Sequence, residues 1–317
     1  MKNGKMKIVI TESQNFSKIG LEKLEAIGQV KQFDFKTIEE LIQVCKNVEV
    51  LFVRLRFKFT KDVLMQFPNL KFILSATTGT DHIDEDFFVK QGGKIICLKG
   101  ETEFLEQIPS TAEHTWALLL SLVKKIPFSF DDVKKGNWNR DSFKGNNLKN
   151  KKIAILGMGR VGKQVAKIAN CFDMEVGFYD IKKVDVSYLK FDSPMALFAW
   201  ADIISIHIPQ DKSNENYIDE TLMSHIKKSA ILINTSRGGI WDEVRLCEMI
   251  LNKEIKGLAT DVLKNELDHK IEESELVILS KNGFPIIITP HIGGATFESM
   301  EMTEEFIIEK FLFLLKL

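Results

Sequence analysis

The sequence predicts an α/β fold made of two successive blocks, each built on a sheet of parallel strands. Short apolar segments alternate with charged segments of helical periodicity along nearly the whole chain, which is typical of strands joined by helical crossovers. The chain also has 317 residues, which exceeds what one hydrophobic core usually supports. We therefore expect two domains.

The strand candidates share short runs of mostly aliphatic residues. In the first block they are 7–10, 50–53, 72–74 and 95–98, with helical segments at 17–27 and 62–67 between them. A long apolar helix candidate, 109–125, and a polar stretch, 134–152, separate the blocks. The strand candidates of the second block are 153–156, 176–179, 203–206, 230–233, 258–260 and 286–288, and an amphipathic segment, 297–317, ends the chain.

The composition argues against several classes of protein. The formal net charge of −1 offers no general attraction for nucleic acid or anionic membranes. No apolar run approaches membrane-spanning length, and no signal peptide is evident. The spacing of Cys45, Cys97, Cys171 and Cys247 fits neither a zinc site nor a small disulfide framework. We expect a cytoplasmic protein with reduced cysteines and no metal site.

A glycine motif opens the second block. Gly157-Met158-Gly159-Arg160-Val161-Gly162 follows a strand candidate and begins a helical segment. In this context the first glycine permits a tight turn, the second lets a pyrophosphate approach the backbone, and the third lets the helix pack against the sheet. The motif predicts a dinucleotide-binding site in a Rossmann-like domain. A glycine-rich turn without a ligand is the alternative.

An acidic residue stands where a dinucleotide site needs one. Asp180 ends the next strand candidate, 18 residues beyond Gly162, and can bind the hydroxyls of the adenine ribose. Because a carboxylate there repels a 2′-phosphate, NAD is favoured over NADP. Lys182 and Lys183 weaken this preference slightly, and a turn residue at a strand end is the alternative for Asp180.

Three polar segments follow strand candidates of the second block and contain Arg237, Glu266 and His291. Ligands bind at the carboxyl ends of strands in open α/β sheets. The planar guanidinium of Arg237 can hold a carboxylate, and the imidazole of His291 can exchange a proton near neutral pH. Taken singly, these residues are better explained as a helix-cap or surface arginine, a solvated loop acid and a structural histidine.

Taken together with the glycine motif, the order and spacing of these three residues resemble the D-isomer-specific 2-hydroxyacid dehydrogenases over nearly the whole chain. Segments at 53–54, 78–81, 135–140 and 143–145 resemble the phosphoglycerate dehydrogenase branch of that family. The resemblance implies an NAD-dependent oxidoreductase that acts on a D-2-hydroxy acid, with Arg237, Glu266 and His291 as catalytic residues. Glu266 would bind the ring of His291, fix its tautomer and raise its basicity.

The resemblance also implies further contacts and a domain plan. Cofactor contacts are expected from Gly157, Gly159, Arg160, Val161, Gly162, Asp180, Ile208, Thr235, Ser236, Asp261, Gly294 and Thr78, and substrate contacts from Arg54, Thr78, Gly79 and Gln107. Residues 107–292 would form the NAD-binding domain, inserted into a flavodoxin-like substrate domain of 1–106 and 293–317. The active site is expected in the cleft between the domains, and a homodimer through the NAD-binding domain.

The substrate is less well specified than the reaction. Arg54, Arg56 and Lys58 alternate, so a strand-like segment would place a basic row on one face, suited to a phosphate or a second carboxylate. The acidic segment 99–107 argues against phosphate. Gln107 takes the position of a family Asn that helps bind substrate, and Leu55 replaces a Ser that is common in the phosphoglycerate enzymes. Leu267 also replaces the usual proline after the catalytic Glu.

Several alternatives therefore stay open. The substrate is 3-phosphoglycerate or a related acid, or the chain is a hydroxypyruvate, glyoxylate or sugar-acid reductase. An NAD-sensing, corepressor-like binding protein is a further alternative. We expect no serine feedback, because no regulatory domain follows the last helix. His82, His114, His225 and His269 are expected to be structural or solvated, with His269 as the one rival base.

Overall fold

The computed structural model describes residues 5–211, 213–268 and 270–316. His269, the rival base, therefore lies outside the described residues. The chain divides into two compact units. Unit 1 comprises the described residues up to Gln107 together with those from Ala295 onward, and unit 2 comprises Ile108–Gly294.

The strands and helices follow one another in the alternation that the sequence predicts. The strands are β1 (Met6–Ile10), β2 (Gly28–Gln32), β3 (Val50–Val53), β4 (Phe72–Ser75), β5 (Lys94–Ile96), β6 (Lys152–Leu156), β7 (Glu175–Tyr179), β8 (Leu189–Lys190), β9 (Ile203–Ile206), β10 (Ile231–Asn234), β11 (Gly257–Thr260) and β12 (Ile286–Ile288). The α-helices are α1 (Lys18–Ile27), α2 (Ile38–Val44), α3 (Lys61–Leu64), α4 (Glu85–Lys90), α5 (Thr102–Leu105), α6 (Ser110–Val123), α7 (Ile126–Lys134), α8 (Arg160–Cys171), α9 (Pro194–Trp200), α10 (Glu220–Met223), α11 (Glu243–Leu251), α12 (Glu275–Lys281) and α13 (Phe297–Leu314).

Unit 1 is built on a parallel sheet in the order β2-β1-β3-β4-β5, which is the flavodoxin-like order. β3 is buried along its whole length, as expected for a central strand of a sheet covered on both faces. The C-terminal helix α13 packs against α1, β4 and β5, and the rings of Phe72 and Phe311 meet edge to face. The end of the chain therefore completes the first unit.

Unit 2 is built on a parallel sheet in the order β12-β11-β10-β9-β6-β7-β8. The chain runs outward from β6 in both directions, which is the doubly wound Rossmann order. One core cluster contains Trp241 and Phe198, and another contains Trp116 and Phe178. The predicted fold class, with a Rossmann-like unit inserted into a flavodoxin-like one, is confirmed.

Two strands were missed by the sequence analysis, β2 and β8. β2 lies at the edge of its sheet and has the sequence GQVKQ, in which only one residue is a large apolar one. β8 is only two residues long and also lies at an edge. Edge strands bury little surface, so their sequences carry a weak periodic signal.

The prediction of a basic row on a strand-like segment after β3 is wrong. β3 ends at Val53, and the segment that follows is not a strand. The carboxylate of Glu12 accepts hydrogen bonds from the backbone N–H groups of Arg54 at 2.7 Å and Arg56 at 2.9 Å. These N–H groups are therefore not available for pairing with a neighbouring strand, and the backbone bends.

Among the described residues, no helix is long and apolar enough to cross a membrane.

Candidate active site

The glycine motif forms a tight turn between β6 and α8. Gly157 has a φ of 92°, and a Cβ atom there would lie 2.8 Å from the carbonyl oxygen of His207. A Cβ on Gly162 would lie 2.2 Å from the carbonyl oxygen of Gly157, so both positions require glycine. In contrast, a Cβ on Gly159 would meet no atom within 4 Å. The backbone at Gly159 therefore faces open space beside the first turn of α8.

This arrangement fits the diphosphate of a dinucleotide. α8 is 12 residues long, and its first backbone N–H groups have no partner within the helix. Such groups, together with the helix dipole, bind phosphate. Gly159 keeps the approach to them clear of side-chain atoms.

Asp180 is fastened to the same turn. One of its carboxylate oxygens accepts a hydrogen bond from the backbone N–H of Met158 at 2.8 Å, and the other accepts one from that of Lys182 at 2.8 Å. The backbone N–H of Gly157 in turn donates to the carbonyl oxygen of Tyr179. The carboxylate is thus held at the end of β7, beside the glycine motif.

Contacts within the chain position two other residues that are expected to bind the cofactor, Arg160 and Ile208. The guanidinium of Arg160 donates a hydrogen bond to the carbonyl oxygen of Ile108 at 2.9 Å. Its burial lowers the pKa of Arg160. Ile208 packs at Gly157, next to His207, whose burial lowers its pKa to about 3 and keeps that imidazole neutral. The guanidinium of Arg160 is therefore already engaged by the chain.

Arg237 follows β10, in a turn organised by Asn234, a fully buried side chain. The side-chain amide of Asn234 donates to the carbonyl oxygen of Arg237 at 2.9 Å, and its oxygen accepts from the N–H and the hydroxyl of Ser236. The guanidinium of Arg237 donates to the carbonyl oxygen of Ser236 at 2.9 Å. No role was predicted for Asn234 from the sequence, although an Asn at a strand end is a turn signal.

The structure brings Glu266 and His291 into contact. The Nδ1 atom of His291 lies 2.5 Å from Oε1 of Glu266, and the other oxygen of Glu266 accepts a hydrogen bond from the backbone N–H of Leu263 at 3.1 Å. His291 has a left-handed backbone with a φ of 54°. Since an ionised carboxylate only accepts hydrogen bonds, the proton of this contact belongs to Nδ1. Nε2 is then the ring atom available for proton exchange.

Asp261 holds the turn that contains His291. Its side chain is only 2% exposed, and its carboxylate accepts hydrogen bonds from the hydroxyl of Thr289 and the backbone N–H groups of Ile292 and Gly293. Burial alone would raise the pKa of Asp261, but these hydrogen bonds and one from His114 hold its pKa below the ordinary value. The carboxylate of Asp261, which was expected to contact the cofactor, is thus directed at its own chain.

The expected substrate residues lie in unit 1. Thr78 and Gly79 lie in the loop after β4, with Thr78 exposed, and Arg54 directly follows β3. The guanidinium of Arg54 donates twice to Glu304 of α13, at 3.1 and 2.6 Å, and once to the carbonyl oxygen of Gln14 at 2.9 Å. Burial raises the pKa of Glu304, and Arg54 opposes that rise.

The acidic segment before Gln107 contains the short helix α5. Glu101 forms an ion pair with Lys310, and the rings of Phe104 and Phe306 stack at 4.0 Å. Gln107 itself is exposed. Glu101 of this acidic segment is therefore already paired.

Comparison with known proteins identifies the family. Residues 116–293 match the family model described as D-isomer specific 2-hydroxyacid dehydrogenase, NAD binding domain. The chain belongs to this family. It is therefore an NAD-binding oxidoreductase that acts on CH–OH donors, and the sequence-based expectations of this family, cofactor and enzyme class are confirmed.

Several relatives cover most of the chain. It is 31% identical to hydroxypyruvate reductase of Thermotoga maritima over 86% of this chain and 86% of the relative. It is also 31% identical to D-3-phosphoglycerate dehydrogenase of Methanocaldococcus jannaschii over 96% of this chain, but it spans only 56% of that relative. The structure of D-lactate dehydrogenase from Aquifex aeolicus complexed with NAD and lactic acid matches with a TM-score of 0.83 at 28% identity, covering 98% of this chain and 96% of that one.

Proposed function

We propose that this chain transfers a hydride between NAD and a D-2-hydroxy acid or its 2-keto acid, with Arg237, Glu266 and His291 as the catalytic residues. The contact of 2.5 Å between Nδ1 of His291 and Oε1 of Glu266 carries the proposal. It orients the imidazole and leaves Nε2 for the substrate oxygen. Such a carboxylate–imidazole pair is suited to general acid–base catalysis.

Each catalytic residue has a separate task. In the oxidative direction, Nε2 of His291 takes the proton of the substrate hydroxyl as the hydrogen on C2 departs as hydride. A bound NAD would supply the acceptor for that hydride. Glu266 stabilises the imidazolium that forms, and the planar guanidinium of Arg237 binds the substrate carboxylate and polarises the C2 oxygen.

We propose that the remaining expected residues form the cofactor site. The turn of Gly157, Gly159 and Gly162 receives the pyrophosphate at α8, and Asp180 binds the adenine ribose. The other contacts come from Arg160, Val161, Ile208, Thr235, Ser236, Gly294 and Thr78. Because the carboxylate of Asp261 is already engaged by donors of the chain, it contributes by shaping the turn at His291.

For the substrate we propose a small unphosphorylated 2-keto acid such as hydroxypyruvate or glyoxylate. The two arginines after β3 are paired with acids, Arg54 with Glu304 and Arg56 with Asp34. A phosphate that drew Arg54 away would leave the buried carboxylate of Glu304 without its cation, which is costly. The Thermotoga relative, named hydroxypyruvate reductase, agrees with this choice. Phosphoglycerate is the second candidate, supported by relatives of that name.

One assay tests both the catalytic role of His291 and the proposed substrate. NADH consumption is measured with hydroxypyruvate, 3-phosphohydroxypyruvate, glyoxylate, pyruvate, 2-oxoglutarate and sugar-derived keto acids, for the natural chain and for His291→Ala. We expect turnover with unphosphorylated acids, nearly lost in His291→Ala and retained in His225→Ala, a control at an exposed histidine. Full activity of His291→Ala refutes the catalytic assignment, and a preference for the phosphorylated acid refutes the substrate.

We also propose a homodimer formed through unit 2. The helix α7 has no buried residue, and it exposes Ile126, Phe130 and Val133. Trp138, just beyond it, is 87% exposed. An apolar surface of this kind marks a protein interface. Light scattering should find a dimer that Trp138→Asp converts to a monomer and that Leu189→Asp, at another exposed site, leaves intact; a monomeric natural chain would exclude this interface.

A further inference from the structure

Two consecutive residues of α6, His114 and Thr115, contact the ends of three neighbouring strands of unit 2. The Nε2 atom of His114 lies 2.9 Å from Oγ1 of Thr289, which follows β12, and 3.2 Å from Oδ1 of Asp261, which follows β11. The hydroxyl of Thr115 lies 2.8 Å from that of Thr235, which follows β10. These are the strand ends after which Arg237, Glu266 and His291 occur.

The donor and the acceptors in the hydrogen bonds of His114 can be assigned. The hydroxyl of Thr289 donates its single proton to Oδ1 of Asp261 at 2.6 Å, and that carboxylate only accepts. The proton between His114 and this pair therefore belongs to Nε2 of His114, which donates to both. His114 thus supports the carboxylate that binds the backbone N–H groups of Ile292 and Gly293.

The turn supported in this way is a strained one. His291 has a φ of 54°, and its backbone N–H donates to the carbonyl oxygen of Asp261 at 2.9 Å. A non-glycine residue keeps this conformation only when its surroundings hold it there. The hydrogen bonds of Asp261 provide that support, and His114 connects them to α6.

The contact of Thr115 acts on the neighbouring turn. Thr115 is buried, and its hydroxyl also lies 2.7 Å from the carbonyl oxygen of Thr111, one turn earlier in α6. Because a hydroxyl has one proton and Thr115 donates it to that carbonyl, Thr235 is the donor between the two hydroxyls. Thr235 is two residues before Arg237, so its side chain is anchored next to the arginine turn.

We propose that His114 and Thr115 are positioning residues, which hold the turns of His291 and Arg237 at the mutual distance that hydride transfer requires. This inference rests on the proposed function. A displacement of about 1 Å at an active site can cost roughly a hundredfold in rate, so small losses of support should be measurable in kcat.

The fold of α6 does not depend on these two polar contacts. The helix buries Leu118, Leu119, Leu122 and Val123 in the core of unit 2, and the indole of Trp116 donates to the carbonyl oxygen of Val165 at 3.2 Å. Variants that lose only a polar contact should therefore still fold, and their kinetics can be compared with those of the natural chain.

The test uses a disruptive and a conservative variant at each position. His114→Leu and Thr115→Val remove the hydrogen-bonding atoms, whereas His114→Gln keeps a donor near Nε2 and Thr115→Ser keeps the hydroxyl. We expect kcat to fall about tenfold or more in the first pair and to return to within about twofold of the natural value in the second. The NADH dissociation constant, measured by fluorescence, should stay within about twofold in the His114 variants. In the Thr115 variants it should change less than kcat, because Thr235 is also a proposed cofactor contact. Glu113→Gln, at an exposed neighbour on α6, is the matched control.

The outcomes separate this inference from the proposed function. If the natural chain turns over 2-keto acids and His114→Leu and Thr115→Val retain its kcat, the positioning role is refuted while the function stands. Equal losses in the disruptive and conservative variants also refute it, because they show a requirement for the original side chain's packing. If the natural chain turns over no 2-keto acid, the proposed function fails first.

Discussion

The imidazole of His291 meets the carboxylate of Glu266 at 2.5 Å, across 25 positions of sequence. Both side chains are mostly buried, and the second oxygen of Glu266 is held by the backbone of Leu263. The pair is thus oriented by main-chain contacts at two neighbouring strand ends, before any ligand is present.

Replacing Glu266 by Gln should lower kcat by about a hundredfold, which is within the range that general acid–base groups contribute. An amide can still accept a hydrogen bond from His291, but it carries no charge to stabilise the imidazolium. The NADH dissociation constant should change little. Steady-state kinetics and NADH fluorescence measure the two quantities, and an unchanged kcat would remove Glu266 from the mechanism.

The glycine turn allows folding and cofactor binding to be separated. Gly162→Ala should lower the melting temperature, because its Cβ would lie 2.2 Å from a backbone oxygen. Gly159→Ala should leave the melting temperature nearly unchanged, because its Cβ meets no atom within 4 Å, yet weaken NADH binding about tenfold by filling the phosphate approach. Thermal unfolding and NADH titration distinguish them. Equal NADH affinity in Gly159→Ala and the natural chain would place the pyrophosphate elsewhere.

Asp180 offers a test of cofactor choice. Asp180→Asn keeps an oxygen that can accept from the N–H of Met158, but it removes the negative charge that repels a 2′-phosphate. The ratio of kcat/KM for NADPH to that for NADH should rise about tenfold, helped by Lys182 and Lys183. Asp185→Asn, a nearby substitution that also removes one negative charge, is the control. A ratio that both variants leave unchanged would show that Asp180 does not select the cofactor.

Asp261 should stabilise unit 2 in a pH-dependent manner. Its pKa is held below the ordinary value of 3.8, so its carboxylate contributes stability above that pH and loses the contribution as pH falls through the folded-state pKa. Asp261→Asn presents a donor to N–H groups that need acceptors, which should cost about 1–3 kcal/mol in the free energy of unfolding at pH 7. Urea unfolding of both proteins should show this difference shrinking below about pH 4. A difference that is constant with pH would contradict the ionised state of Asp261.

The local patterns of the sequence were sufficient for much of the fold. Buried strands such as Val50–Val53 and Ile203–Ile206 are short, mostly aliphatic runs, so they were predicted at their observed bounds. The edge strand Gly28–Gln32 was missed because it buries too little to carry such a run. The glycine motif was predicted as a turn before a helix, because strand, glycines and helix are contiguous in the chain.

By itself, the sequence determined the doubly wound α/β fold, the NAD cofactor and the enzyme family, since these depend on periodicity and on motifs within short segments. Only the tertiary structure decided which polar groups are already paired. Arg54 meets Glu304 across 250 positions, and His114 meets Thr289 across 175. Nothing in the neighbourhood of either residue in the chain indicates its partner. Such pairs exist because strand ends and helices from distant segments are packed together, and an unpaired buried charge or donor is costly.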